Sequence, residues 1–229
     1  LFNFLGPAEQ KLAAAEAIPG PTIERMMERA SRHSMHIIAG SITEASHDPE
    51  KVYNTSVLIG PEGRILAEYR KIHLFDIVVE GHNPYRESAK VIPGAEVISP
   101  ETPIGTIGLT ICYDLRFPGL YCALSERGAQ IISIPAAFTL HTGLAHWEPL
   151  IRARAIENTC YVVAAAQVGK HPVGRECYGN SMIVDPWGTV VARAPSRESV
   201  VVADIDLEYE RKIRENLPSI KHRRDDIYR

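Results

Sequence analysis

One cysteine of this sequence stands where its thiol could act as a nucleophile. Cys112 ends the apolar run IGTIGLTIC, which predicts a strand, and Phe117-Pro118 indicates that a helix starts shortly after it. Helix amides without a partner and nearby cations favour the thiolate, the nucleophilic form of cysteine. A single cysteine is more often a buried structural residue. The local sequence CYDLRFP places a carboxylate and a cation beside the thiol, which favours the nucleophile.

The other potential ligands and thiols do not form a recognisable site. They are Cys122, Cys160, Cys177, His141, His146 and His171. No two cysteines have the spacing C-x-x-C, so a zinc site or a disulfide framework is not expected. The histidines lack the spacing of metal ligands and are interpreted as loop or packing residues. We therefore expect neither a metal nor another cofactor.

The composition indicates one compact α/β domain. The chain has 229 residues, of which 45% are hydrophobic and 23% are charged, so disorder is excluded as the main state. The net charge of -3 does not call for nucleic acid or an anionic membrane as a partner. No apolar run is long enough to span a bilayer and no signal peptide is visible, which favours a cytoplasmic protein. Because the sequence starts at Leu1 and not at a methionine, this absence carries little weight.

Strands and helices alternate along the first half of the chain. Two hairpins are also predicted, with their turns at 60–63 and 185–188. The periodic patterns predict a helix from Thr22, a strand at 35–43, a hairpin at 52–70, a long loop at 71–90, a strand at 104–112, a helix at 118–128, a strand at 130–135, a helix at 145–158, a strand at 160–167, a hairpin at 181–194, a strand at 200–207 and a helix at 207–216. This mixture suggests two mixed sheets with helices outside them.

Several segments resemble motifs of the nitrilase-like carbon–nitrogen hydrolase family. GLTICYDLRFP resembles the nucleophile motif of that family, and YRKIHL, which contains Lys71, resembles its lysine motif. HWE and RARAIEN resemble the helix that follows, and DPWG resembles a late hairpin. The run VVAAAQ with Gly169 and Tyr178-Gly179 is most similar to the branch that acts on deaminated glutathione. Several motifs in order over nearly the whole chain make this resemblance specific.

The resemblance implies a fold and a mechanism. The fold is a four-layer α-β-β-α sandwich of two mixed β-sheets, and the site is a Glu–Lys–Cys triad without a cofactor. Cys112 would attack the amide carbonyl and form a thioester, which divides one difficult step into two. Lys71 and the backbone amide of Tyr113 would stabilise the tetrahedral oxyanion. The family also implies a homo-oligomer and a small-molecule amide as substrate.

Four other residues match positions of the family. Glu87 matches a second glutamate that holds the lysine and assists proton transfer, although a surface carboxylate is the alternative. Arg116 resembles an arginine that holds a substrate carboxylate, and an ion pair with a nearby acid is as plausible. Phe138 and Thr142 match pocket positions of the Nit amidases.

One part of the family pattern is missing. The general-base glutamate of the family precedes a segment like LFNF, so it would stand immediately before Leu1, together with the first strand and helix. Glu9 and Glu16 are the early acids, and neither lies in a matching motif. We therefore expect residues 1–229 to be a carbon–nitrogen hydrolase domain that lacks its first strand and helix, and a truncated sequence is the favoured explanation.

The expected activity is hydrolysis of a small amide that carries a carboxylate, most like that of the deaminated glutathione branch. The alternative enzymes are an ω-amidase that acts on acids like 2-oxoglutaramate and an N-carbamoyl hydrolase. A further alternative is a Nit-type interaction protein, which would be inactive because the general base is absent.

Overall fold

The computed structural model describes residue 6 and residues 10–78, 85–171 and 174–228. The helices are α1 (Pro21–His33), α2 (Pro118–Glu126), α3 (Leu140–Asn158), α4 (Leu207–Asn216) and α5 (Asp225–Tyr228). The strands are β1 (Ile37–Ile38), β2 (Ile42–Ala45), β3 (Val52–Ile59), β4 (Ile65–Arg70), β5 (Asp76–Ile77), β6 (Tyr85–Arg86), β7 (Glu101–Thr102), β8 (Gly105–Leu109), β9 (Ile131–Ala136), β10 (Tyr161–Ala166), β11 (Val168–His171), β12 (Arg175–Tyr178), β13 (Met182–Val184) and β14 (Val190–Arg193). Short 3-10 helices lie at Glu87–Ala89, Cys112–Arg116 and Ser219–His222.

Two larger sheets form the centre of the molecule. In the first, β3 pairs antiparallel with β4 on one edge and with β1 and β2 on the other. Isolated parallel bridges join Glu16 to Glu44 and Val52 to Val91. The second sheet has the order β14-β13-β10-β9-β8-β7 and mixes parallel with antiparallel pairs, because β8, β9 and β10 run in the same direction. β5 pairs with β6, and β11 pairs with β12, in two small separate hairpins.

Successive side chains of a strand point to opposite faces of its sheet, and these faces show which layers each sheet packs against. On β3, Val57 and Ile59 pack with Ile23 and Ala30 of α1. Leu58, between them in sequence, points to the opposite face and packs against Leu109 of the second sheet. The far face of the second sheet packs against α2 and α3 in the largest cluster of buried side chains. The layers are therefore α1, first sheet, second sheet and the pair α2 and α3, and the predicted α/β fold is confirmed.

The structure differs from the predicted elements at several boundaries. The strand predicted at 35–43 is two short strands, because the chain turns at Gly40, which has a φ of 45°. α1 begins at Pro21 with Gly20 as its N-cap, whereas the side chain of Thr22 donates to Glu16. The predicted loop at 71–90 contains β5, β6 and a 3-10 turn, and its residues 79–84 lie outside the described part. The predicted strand at 200–207 is wrong: these residues pair with no described strand.

Candidate active site

Cys112 lies in a sharp turn between the second sheet and α2. β8 ends at Leu109, so the predicted strand is three residues too long, and Cys112 begins a 3-10 helix instead. The φ of Cys112 is 50°, a left-handed conformation that costs an L-residue roughly 1–2 kcal/mol. α2 then starts with Pro118 at its first position. This turn leaves Cys112 partly exposed, and its first backbone N–H groups, among them that of Tyr113, have no partner within the helix.

A buried carboxylate fixes this turn to the segment that carries Lys71. Asp114 is fully buried and accepts hydrogen bonds from the backbone N–H of Ile111 at 2.8 Å and from the hydroxyl of Tyr69 at 2.7 Å. The backbone N–H of His73 donates to Asp114 at 3.1 Å, and Nδ1 of His73 lies 2.8 Å from the same carboxylate. Burial and the charge of Asp114 raise the pKa of the Tyr69 hydroxyl, which therefore stays protonated as a donor. Asp114 thus holds the cysteine turn and the lysine segment in a fixed relation.

Asp114→Asn should both destabilise the fold and slow the reaction. The amide group of asparagine would direct donor hydrogens at groups that are themselves donors, so we expect a loss of about 2–4 kcal/mol in the free energy of unfolding. Tyr69→Phe removes one of these hydrogen bonds, together with the bond of 3.3 Å that the N–H of Ile72 donates to the Tyr69 hydroxyl, and should cost about 1–2 kcal/mol. Urea unfolding and kcat for both variants test this function of Asp114. An Asp114→Asn variant as stable and active as the parent would contradict it.

Lys71 and Glu87 form a buried ion pair beside Cys112. Nζ of Lys71 lies 2.5 Å from Oε2 of Glu87, and the two side chains are 3% and 5% exposed. Glu87 also accepts hydrogen bonds from the backbone N–H of Phe75 at 2.7 Å and from Nδ2 of Asn54 at 3.3 Å. Glu87 begins the 3-10 turn after β6, and Lys71 directly follows β4, so the small hairpin brings them together.

The electrostatics of this pair fix both charges. Burial alone would lower the pKa of Lys71, but the charges of Glu87 and Cys112 and the hydrogen bond to Glu87 outweigh it and raise the pKa. Burial alone would raise the pKa of Glu87, but the charge and hydrogen bond of Lys71 outweigh it and lower the pKa. Lys71 is therefore an ammonium donor, suited to bind an oxyanion, and Glu87 is a weak base.

The seven residues selected from the sequence line one cleft that is open to solvent on one side. They are Cys112, Lys71, Glu87, Tyr113, Arg116, Phe138 and Thr142. Other lining residues were not selected from the sequence: Lys11, Asn54, Phe75, Tyr85, Ile111, Glu176 and Cys177. No chemical signal in the sequence indicates these residues, because they come from separate segments that only the fold brings together. Tyr69, His73 and Asp114, by contrast, lie inside the recognised motifs and could have been found there.

Arg116 lies on an aromatic wall of the cleft. Its guanidinium carbon lies 5.2 Å from the ring centre of Phe138 and 6.0 Å from that of Tyr113. Its Nη1 is 3.3 Å from Nδ1 of His146. Within the described residues no carboxylate is at ion-pair distance from Arg116, so the alternative of an ion pair with a nearby acid finds no partner there. The guanidinium fork is thus available to an anion in the cleft.

The hairpin of β11 and β12 forms another wall of the cleft. Gly143 of α3 lies so close to Tyr178 that an added Cβ would stand 2.4 Å from the Cβ of that residue. Tyr178 also donates its backbone N–H to the carbonyl of Phe138 at 2.9 Å. This close packing brings Glu176 and Cys177 to the cleft, next to Thr142, whose hydroxyl is 2.7 Å from that of Thr139.

The histidines considered above lie apart from one another. His141 and His146 belong to α3, and His171 ends β11. Among the residues that the structure describes, no group of three or more His, Cys, Asp or Glu side chains is placed to hold a metal ion. None of the described helices has the length and apolar character needed to cross a membrane.

Comparison with known proteins places the chain in a family. Residues 1–215 match the family described as carbon-nitrogen hydrolase. The chain is 46% identical to deaminated glutathione amidase of Homo sapiens over 233 residues, which cover 99% of this chain and 71% of that protein. It is 45% identical to omega-amidase NIT2 of Xenopus tropicalis over 214 residues, which cover 93% of this chain and 77% of that protein.

A solved structure agrees with this result. The crystal structure of the C. elegans NitFhit protein matches with a TM-score of 0.93 and 46% identity, over 100% of this chain and 56% of that chain. The chain therefore belongs to the carbon–nitrogen hydrolase family. It is an enzyme that acts on amides, as the family and the amidase relatives indicate.

Proposed function

We propose that this protein hydrolyses a small carboxylate-bearing amide through a thioester on Cys112. The observation that carries the proposal is one cleft in which Cys112 lies beside the Lys71–Glu87 pair and Arg116 has no described acid partner. Sγ of Cys112 attacks the carbonyl carbon, and Lys71 and the N–H of Tyr113 stabilise the oxyanion. The C–N bond breaks as the amine leaves with a proton. Water then hydrolyses the thioester and restores the thiol.

We assign the general base to a carboxylate other than Glu87. Glu87 accepts hydrogen bonds from Lys71, Phe75 and Asn54, and its lowered pKa makes it a weak base. The family resemblance supports a separate glutamate as the general base. The same resemblance supports a cytoplasmic homo-oligomer.

Deaminated glutathione is the substrate that we favour. The support is the 46% identity to the human protein named for that substrate. The Xenopus relative, named an omega-amidase, makes an amide like 2-oxoglutaramate the second candidate. Release of amine or ammonia from a panel that includes both amides and an N-carbamoyl amino acid separates these activities.

Arg116→Met should lower kcat/KM for a carboxylate amide by about 10- to 100-fold, because a charge-assisted pair with the substrate is lost. Arg116→Lys should recover only part of this, since an ammonium cannot bind both carboxylate oxygens as the planar fork does. Arg64→Met, which changes an exposed arginine of the first hairpin, is the matched control.

The same variants should be assayed on an amide whose carboxylate is blocked as a methyl ester. On this ester, Arg116→Met should have the same kcat/KM as the parent, because the group that Arg116 binds is already neutral. An equal loss on both forms would contradict carboxylate binding by Arg116. Failure of the parent to hydrolyse any carboxylate-bearing amide would contradict the proposed function itself.

A further inference from the structure

A buried arginine of α3, Arg154, contacts the 3-10 helix Cys112–Arg116, which we call the cysteine turn. Arg154 is 4% exposed, and its Nε donates a hydrogen bond to the carbonyl of Leu115 at 3.1 Å. Arg154 is not one of the residues that line the cleft. Its contact can therefore influence chemistry in the cleft only through the backbone of the cysteine turn.

The carbonyl of Leu115 lies near the end of the 3-10 helix, where the next donor of the helical pattern is missing. In a 3-10 helix this carbonyl would accept from residue 118, and Pro118 has no N–H to donate. Phe117 also leaves the helical conformation, with a φ of -113° and a ψ of 89°. Because Leu115 is fully buried, a carbonyl without a donor would cost free energy. Arg154 supplies the donor from a position 39 residues further along the chain.

Other contacts hold Arg154 in place independently of the cysteine turn. Its Nη1 lies 2.8 Å from Oε2 of Glu157, and its guanidinium carbon lies 5.3 Å from the ring centre of Tyr121. The main-chain carbonyl of Arg154 accepts a hydrogen bond from Nδ2 of Asn158 at 2.9 Å. The side chain of Glu157 is 48% exposed, so solvent screens this ion pair and it contributes little to stability. Arg154 is thus anchored in α3 and reaches the cysteine turn with its Nε–H.

The cysteine turn depends on such external contacts because its backbone is strained. Cys112 has a φ of 50°, and a residue keeps such a conformation only where the surrounding contacts enforce it. Asp114 holds the start of the turn through the backbone N–H of Ile111. Arg154 holds the carbonyl near its other end. The two contacts together fix the segment that carries the thiol of Cys112 and the N–H of Tyr113.

We propose that Arg154 is a positioning residue, which acts through the carbonyl of Leu115 and holds the thiol of Cys112 in the orientation needed for attack on the amide. This inference rests on the proposed function, because it concerns the same nucleophile. Misplacing reacting groups by about 1 Å can slow an enzyme about 100-fold. Loss of the contact should therefore lower kcat, whereas KM, which depends on the residues that line the cleft, should stay near the parent value.

Arg154→Met tests this function, because it removes the donor and keeps most of the aliphatic side chain. It should lower kcat by about 10- to 100-fold and change KM less than about threefold. Glu157→Gln is the matched control, since it removes the ion pair and leaves the bond to the Leu115 carbonyl, so it should keep the parent kcat. Both variants are made in the full-length protein and assayed well below their melting temperatures, so that lost stability is not counted as lost activity.

Arg154→Lys provides a second test, which also applies if Arg154→Met does not fold. Its single ammonium has two competing acceptors, the carbonyl of Leu115 and the carboxylate of Glu157, so its kcat should be intermediate. In Arg154→Lys/Glu157→Gln the competing charge is removed and the ammonium donates to the carbonyl, so kcat should rise above that of Arg154→Lys. If the ion pair were the contact that matters, the double variant would be the slower of the two.

Four outcomes would overturn the inference. They are parent-like kcat in a folded Arg154→Met variant, an equal loss in Glu157→Gln, a loss that lies in KM instead of kcat, and a double variant slower than Arg154→Lys. Each of these leaves amide hydrolysis by the parent and its loss in Cys112→Ala unaffected. A parent that hydrolyses no amide of the panel, or a Cys112→Ala variant with parent activity, would instead refute the proposed function, so the two failures are distinguishable.

Discussion

Cys112→Ala should abolish amide hydrolysis and leave the fold intact. We expect kcat to fall on the order of 10⁵-fold or more, since the proposed nucleophile, which would form the thioester, is gone. The thiol is partly exposed and alanine keeps the Cβ, so few contacts are lost. Alanine also has the same cost at a φ of 50° as cysteine, so the strain of the turn is unchanged. Amine or ammonia release and thermal unfolding measure the two effects.

Cys122→Ala is the matched control for this experiment. Cys122 is also a partly buried free cysteine, but it lies in α2 and does not line the cleft. This variant should hydrolyse the substrate at the parent rate. Turnover by Cys112→Ala near the parent rate would disprove the assignment of the nucleophile. Equal loss in both variants would point to a general effect of removing thiols.

Lys71→Met should lower kcat by on the order of 10²-fold or more, because one of the two proposed oxyanion donors is removed. Lys71→Arg should not recover this activity, since a planar guanidinium cannot replace a compact ammonium at a side chain that is 3% exposed. kcat measured on the best substrate of the panel tests both variants. Parent-like kcat in either one would exclude Lys71 from the oxyanion site.

The same substitution should destabilise the fold in a way that depends on pH. Lys71→Met leaves the carboxylate of Glu87 buried without its cation, which should cost about 3–5 kcal/mol. The double variant Lys71→Met/Glu87→Gln removes both charges and should regain most of this stability while remaining inactive. Lost activity in a stable double variant would separate catalysis from folding.

The sign of the pH dependence distinguishes parent from variant. In the parent, the folded-state pKa of Glu87 is lowered, so its contribution to stability is present above its ordinary pKa and is lost as the pH falls through the folded-state value. In Lys71→Met, burial without the cation raises the pKa of Glu87. As the pH falls, protonation of Glu87 removes the buried charge and so reduces the destabilisation of the variant. We therefore expect the difference in the free energy of unfolding between parent and variant to decrease as the pH falls. Urea unfolding between about pH 4 and pH 8 measures this difference. A difference in the free energy of unfolding that is constant with pH would contradict this explanation.

The sequence by itself determined the class of fold, most of the elements and the motifs that define the candidate site. Continuous apolar runs on β9 and β10 follow from burial on both faces of the sheet and are visible without a structure. The α4 boundaries were predicted correctly at 207–216 because Asp206 is an N-cap whose side chain accepts from the N–H groups of Glu208 and Tyr209. The motifs around Lys71 and Cys112 were recognisable because their chemistry is local.

The tertiary structure alone decided which distant residues share the cleft and which extended segments become strands. Val200 and Val202 have the alternation of a strand, yet they are 89% and 84% exposed, because a strand exists only where a neighbouring backbone is available to pair with it. Lys11 and Asp114 likewise owe their environments to contacts between segments far apart in sequence. Burial and electrostatic pairing are properties of those contacts, and local sequence patterns do not encode them.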